Sequence, residues 1–197
     1  MNKEKALELL HANMQNVNLR RHCYAVGFAL AGVYKYLKEN NWKNDSPDSS
    51  EIWEVLGILH DSDYEKTKED WTKHTILTQD WLKKTGMSNN DPLFLAVRSH
   101  NNKITKQREP LTQMEWALEC LDELTGLIVA VALVKPDKKL ESVSVDSILK
   151  KWNQKAFAAG VDRFQTEQCM EKLDIPLEVF IDIVLKSMQK HSDELGL

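Results

Sequence analysis

The dipeptide His60-Asp61 sets an imidazole and a carboxylate side by side at the end of an apolar run that begins at Trp53. Adjacent residues on a helix point about 100° apart, so they share no face. One cation can meet both only at a helix end, over the edge between them. Three more histidines and an acid stand on apolar stripes elsewhere. His22 lies four residues before Val26, in a stripe that continues through Ala29, Leu30, Val33 and Leu37. His74 falls on a helical face with Leu77, Thr78 and Trp81, and His100 on one with Leu93, Ala96 and Val97. Asp122 shares a face with Leu118, Thr125, Gly126 and Val129. Taken alone, a histidine among apolar residues is ordinarily a core residue bonded to a carbonyl. An unpaired carboxylate there costs several kcal/mol or takes up a proton, and a cation offsets that cost. Mixed imidazole and carboxylate donors suit iron, manganese, cobalt, nickel or zinc. With no thiolate among them, an open catalytic site is expected rather than a closed structural one. His11 and His191, near the two ends, read as surface residues.

The elements that must bring these groups together are helices. Seven glycines and five prolines in 197 residues are few, which disfavours many short strands. An amphipathic helix is expected over about residues 18–39, followed by a polar loop to Ser50, which can cap a helix carrying Trp53, Leu56 and His60 inward. The charged stretch 61–70 reads as irregular, and the helix bearing His74 stops near Gly86. Asp91-Pro92 is a helix start, with a capping side chain and proline at the first helical position. Thr112-Gln113-Met114-Glu115 is a capping box that opens a helix ending before Pro136. Further helices are expected over about 145–159, 161–173 and from Pro176 to Gly196. The reading is one all-α domain over 1–197, a helical bundle with its metal-binding core at about 18–134 and helices 145–197 packed on it.

Composition narrows the function. A net charge of -4, from 26 basic and 30 acidic residues, gives no strong nucleic-acid signal. Cys23, Cys120 and Cys169 form no CxxC pair, so neither a disulfide framework nor a thiolate zinc site is indicated, and a cytoplasmic location fits. The longest apolar run, Leu124 to Val134, is too short to cross a bilayer. No signal peptide is read at the amino terminus.

The ordered set His22, His60-Asp61, His74, His100 and Asp122 resembles the HD-domain superfamily of metal-dependent phosphohydrolases. The likeness extends to Gly57-Ile58-Leu59-His60-Asp61-Ser62-Asp63-Tyr64-Glu65, similar to a GLLHDxDYE-type motif of a bacterial subgroup. Ala96 to Asn101, Ala117 to Ile128, Leu133 to Pro136 and Phe157 to Arg163 look like its later motifs. The resemblance implies a helical bundle holding one divalent metal ion on His22, His60, Asp61 and Asp122. Members with two ions add two histidines, here His74 and His100, with Asp61 bridging. Magnesium joins the transition metals as a candidate. The implied activity is hydrolysis of a phosphoester of a nucleotide or small phosphorylated metabolite by a metal-activated water.

Within that reading Asp61 is the central catalytic residue. Asp63 and Glu65 stand as orienters or proton carriers, or as a solvated acidic turn. Arg98, Lys103, Lys135, Lys155 and Arg163 are the candidate phosphate-binding cations, although Arg98 is set about 200° round the helix from His100. Two alternatives share the residues: a di-iron oxygenase with the same ligands, and a non-catalytic nucleotide-binding regulatory module. Oligomeric state is open, with Trp42 and Trp152 as interface or core.

Overall fold

The structure, a computed structural model, describes residues 1–197. It is all helical, with α1 (Lys3–Asn13), α2 (Val17–Glu39), α3 (Ser50–Leu59), α4 (Tyr64–Thr67), α5 (Ile76–Lys84), α6 (Pro92–Ser99) and α7 (Asn102–Thr105) in the first half. The second half holds α8 (Gln113–Leu133), α9 (Val145–Trp152), α10 (Arg163–Glu167), α11 (Cys169–Lys172), α12 (Leu177–Gln189) and α13 (Ser192–Leu195). Single 3₁₀ turns lie at Trp71–Lys73 and Leu140–Ser142. There are no strands, and no helix is long and apolar enough to cross a membrane.

The centre of the bundle is α2, which packs against α3, α8 and α12. Its buried side chains, from Cys23 through Val26, Leu30 and Val33 to Leu37, recur with helical spacing, so one face meets the core. The other long helix, α8, is apolar on most of its circumference, and residues from both ends of the chain complete one continuous core. Against α3 the contact is closer than side chains allow. A Cβ on Gly57 would stand 2.3 Å from the backbone nitrogen of Gly27, and one on Gly27 would stand 2.9 Å from the Glu54 carbonyl. The two backbones touch through these glycines. His60 is three residues past Gly57 and His22 five residues before Gly27, so this approach brings their side chains to the same end of the helix pair.

The expected start signals are present with small shifts. Asn16, which was not among the expected caps, starts α2 by accepting from the backbone N–H groups of Asn18 and Leu19. Ser49, not Ser50, caps α3. Asp91 caps α6 with Pro92 in its first turn, and the Thr112–Glu115 capping box opens α8. The carboxyl-terminal third is more broken than its sequence suggests. The helix expected over 145–159 ends at Trp152, because Arg163 reaches back to the carbonyls of Phe157, Gln154 and Lys151 and folds residues 153–162 into turns. Residues 161–173 form two short helices, and the last helix breaks at Lys190 before α13. Trp152 is buried, and Trp42 is half-buried and packs against the core beside Trp53.

Candidate metal centre

Of the six predicted ligands, two stand on helix sides, two end helices, one follows a helix end and one lies in a turn. His22 stands on α2 and Asp122 on α8. His60 terminates α3; its own N–H still reaches the Leu56 carbonyl at 2.9 Å, and Asp61 follows where the chain leaves the helix. His100 terminates α6. His74 is not on a helix. It closes the 3₁₀ turn Trp71–Lys73 and precedes Thr75, whose φ of 69° lies in the left-handed region. That departure from periodicity has a visible cause in Asp63. This carboxylate is fully buried and accepts from His74 Nδ1 at 2.9 Å, from Thr75 N–H at 3.1 Å and from Thr78 N–H at 3.2 Å. It pins the start of α5 and the imidazole in front of it.

All six side chains converge. Asp61 Oδ1 lies 3.0 Å from His74 Nε2, 3.3 Å from His100 Nε2 and 3.5 Å from His60 Nε2. Its other oxygen lies 3.7 Å from His22 Nε2. Asp122 Oδ1 is 2.9 Å from His22 Nε2 and 3.4 Å from His60 Nε2. Ligands of one first-row ion at about 2.0–2.2 Å, at tetrahedral or octahedral angles, stand roughly 3.0–3.5 Å apart. Most of the observed separations lie close to that spacing, with His22 to Asp61 the longest at 3.7 Å, and three overlapping groups could hold an ion: His22, His60 and Asp61; His60, His100 and Asp122; and Asp61, His74 and His100.

The outer nitrogen of each imidazole is held so that Nε2 faces inward. His60 Nδ1 lies 2.7 Å from the Gly57 carbonyl, an acceptor only, so it donates there. His74 donates to Asp63, and His100 Nδ1 faces Glu119 Oε1 at 3.2 Å. His22 Nδ1 lies 3.5 Å from the Thr125 hydroxyl, which itself donates to the Asp122 carbonyl. Metal-binding histidines show this arrangement, because the outer acceptor fixes the ring and raises the basicity of the ligating nitrogen. His60 gives the sharpest sign. With its proton on Nδ1, its buried Nε2 is a lone pair with no hydrogen-bond partner, aimed at two carboxylates. Acceptors that face one another at a largely buried site are stabilised by a cation between them. The donor set therefore fits a divalent ion.

Electrostatics agree. Burial opposes a charged ring at His74, but hydrogen bonds to Asp61 and Asp63 outweigh it and push its pKa up to about 9. At His22 and His100 burial is likewise outweighed, by Asp122 and by Asp61 with Glu119 respectively, and both are raised. Burial would raise Asp61 and Asp122, yet the surrounding imidazoles hold both below the usual carboxylate range. Without a metal, protons on the histidines supply the missing positive charge.

The centre opens into a cavity of about 270 Å³, whose lining includes Tyr64, Trp71, Asn101, Lys103, Glu123 and Gln165. Lys103 is the one predicted cation there; it pairs with Asp162 at 3.3 Å and meets Gln165. The other four lie outside the lining. Arg98 and Lys155 are exposed, Lys135 follows the end of α8, and Arg163 is engaged by carbonyls. Glu65 is also elsewhere. It accepts from the backbone N–H groups of Gln15 and Asn16, just ahead of α2, and so steadies the helix that carries His22. Asp63 is no solvated acidic turn; it holds His74 from beneath.

Glu119 was not singled out as a site residue by its sequence position. It accepts from Asn101 N–H and Gln165 Nε2 as well as His100, tying α6, α8 and α10 together at the site. The available signal was an acid inside the apolar stretch Trp116–Leu121. No protein-family model, curated protein or solved structure matches this chain.

Proposed function

We propose that the protein is a metal-dependent phosphohydrolase of the HD-domain type, acting in the cytoplasm on a nucleotide or small phosphorylated metabolite. The observation that carries this reading is the unpartnered, buried Nε2 of His60 facing Asp61 and Asp122. A divalent ion in such a site activates water near neutral pH and polarises a phosphoryl oxygen. His22, His60, Asp61 and Asp122 would hold one ion. Asp61 presents one oxygen to His60, His74 and His100 and the other to His22, which supports a second ion sharing Asp61.

The chain's own residues set the remaining conditions. Asp63 and Glu119 keep the rings of His74 and His100 oriented for ligation. The open side is at His22, Asp61 and Asp122, whose side chains keep 27%, 14% and 18% of their surface exposed, while His60 keeps none. A phosphoryl group therefore enters from that side. Lys103 is the only lysine or arginine on this cavity's wall, beside the carboxylates of Asp61, Asp122 and Glu123. So little positive charge favours a single phosphoryl group over a polyphosphate chain.

The test is turnover of phosphomonoesters by protein loaded separately with Mn, Co, Ni, Fe, Zn or Mg. Hydrolysis that disappears in Asp61→Ala supports the reading. Inactivity with every metal while nucleotide binding persists would replace it with a regulatory module. Substrate-dependent oxygen consumption by the iron-loaded protein would replace it with an oxygenase.

A further inference from the structure

Beside the metal cavity lies a second one, of about 410 Å³, and the two share His22 and Gly126 in their walls. Its other walls are largely apolar, with Ala25 on α2, Val129 and Leu133 on α8, and Leu195 and Leu197 at the end of the chain. Cavities of this size and lining accommodate small organic ligands.

Gly126 stands at the junction. It is an exposed glycine in the middle of α8, a position where glycine weakens a helix relative to alanine. Nothing in the protein's packing calls for it. A Cβ built there meets no atom within 4 Å, in contrast to Gly27 and Gly57, where neighbouring backbone fills the space. The bare surface lies one helical turn from Asp122, so a ligand reaching from the metal centre into the second cavity crosses it.

Arg21 gives the far compartment its chemistry. Arg20 donates to the Met14 carbonyl, Arg108 pairs with Glu115 and Arg163 binds backbone carbonyls. Arg21, half-buried in the wall of the second cavity, has neither an ion pair nor a hydrogen bond within the protein, and its guanidinium packs against Gly196. A guanidinium next to apolar walls is a recognition element for a carboxylate or a second phosphoryl group.

We infer that the second cavity is the subsite for the alcohol portion of the substrate, an apolar body that crosses Gly126 and ends in an anionic group held by Arg21. The inference rests on the phosphoester reading of the metal centre and adds the class of ester: an acidic organic monophosphate with an apolar spacer.

Non-hydrolysable probes separate the two claims. Metal-loaded protein is titrated calorimetrically with methylphosphonate, hexylphosphonate and 6-phosphonohexanoate. The apolar chain should raise affinity at least about tenfold over methylphosphonate, since each buried methylene adds to binding. The terminal carboxylate should raise it again by about tenfold, as a charge-assisted pair does. Arg21→Gln should remove only the second gain, and Gly126→Leu both, with metal content and melting temperature read in parallel to establish that each variant is folded and loaded. Equal affinities for the three probes, or gains that survive both substitutions, overturn the subsite. Phosphoester turnover with equal affinities overturns it alone. The graded affinities without any turnover uphold the subsite and overturn hydrolysis, and failure to bind any probe overturns both.

Discussion

At the scale of residues, the candidate centre is a set of imidazoles for whose nitrogens protons and a bound metal ion would compete. His74 illustrates the consequence. Its pKa rises from 6.5 in the unfolded chain to about 9 in the metal-free fold. A raised histidine stabilises the fold fully below its unfolded pKa, and that contribution is lost as pH rises through the folded value. Asp61 and Asp122 are depressed, so their contribution is present above the ordinary carboxylate pKa and lost on acidification. The metal-free protein should therefore be most stable between about pH 4 and 6.5 and lose melting temperature toward pH 9. Stabilisation by added metal should grow over the same rise, because fewer protons must be displaced. Melting curves with chelator and with metal across this range check both signs. Asp63→Asn keeps the size of the side chain but puts an amide where the buried carboxylate accepts three hydrogen bonds. Metal affinity, measured by competition with a chromophoric chelator, should fall about 10–100-fold.

At the scale of elements, what matters is where helices end and how closely they approach. The pairing of adjacent His60 and Asp61 works because α3 ends at Leu59, with His60 as its cap and Asp61 beyond it, as their angular separation on a helix requires. That much was legible from the two residue types in contact. The placement of His74 was not. Its spacing to Leu77, Thr78 and Trp81 fits a helix, but the buried Asp63 draws its backbone and ring into a turn, and no periodicity encodes a hydrogen bond from 11 residues away. The glycines divide in the same way. Gly57→Ala should cost about 1–3 kcal/mol in denaturant unfolding, because α2 and α3 must separate to admit a methyl group. Gly126→Ala should instead stabilise, by up to about 1 kcal/mol, since it removes backbone entropy from an open helix position. The sequence shows both only as glycines within apolar helices; the difference lies in what each faces.

At the scale of the molecule, residues far apart in the chain meet at one end of a helical bundle. The stripes of α2, α6 and α8 and the caps of α6 and α8 could be read directly, because each is a local pattern of burial and hydrogen bonding. Inward faces pointed to His22, His60, His100 and Asp122, whereas His74 reaches the candidate site from a turn and Asp61 from beyond the end of α3. The candidate cations were not legible in this way, because a solvated lysine or arginine carries no periodic signature: of Arg98, Lys103, Lys135, Lys155 and Arg163, only Lys103 lines the cavity at the candidate metal centre. The neighbouring compartment with Arg21 depends on tertiary contacts between α2, α8 and the end of the chain, which no single stretch records. The account turns on a metal ion held between these helices, and metal stoichiometry measured by elemental analysis tests it most directly. Protein equilibrated with manganese and freed of excess metal should retain one or two equivalents, and folded Asp61→Ala should retain almost none. A folded wild-type protein that holds no more metal than Asp61→Ala would contradict the account.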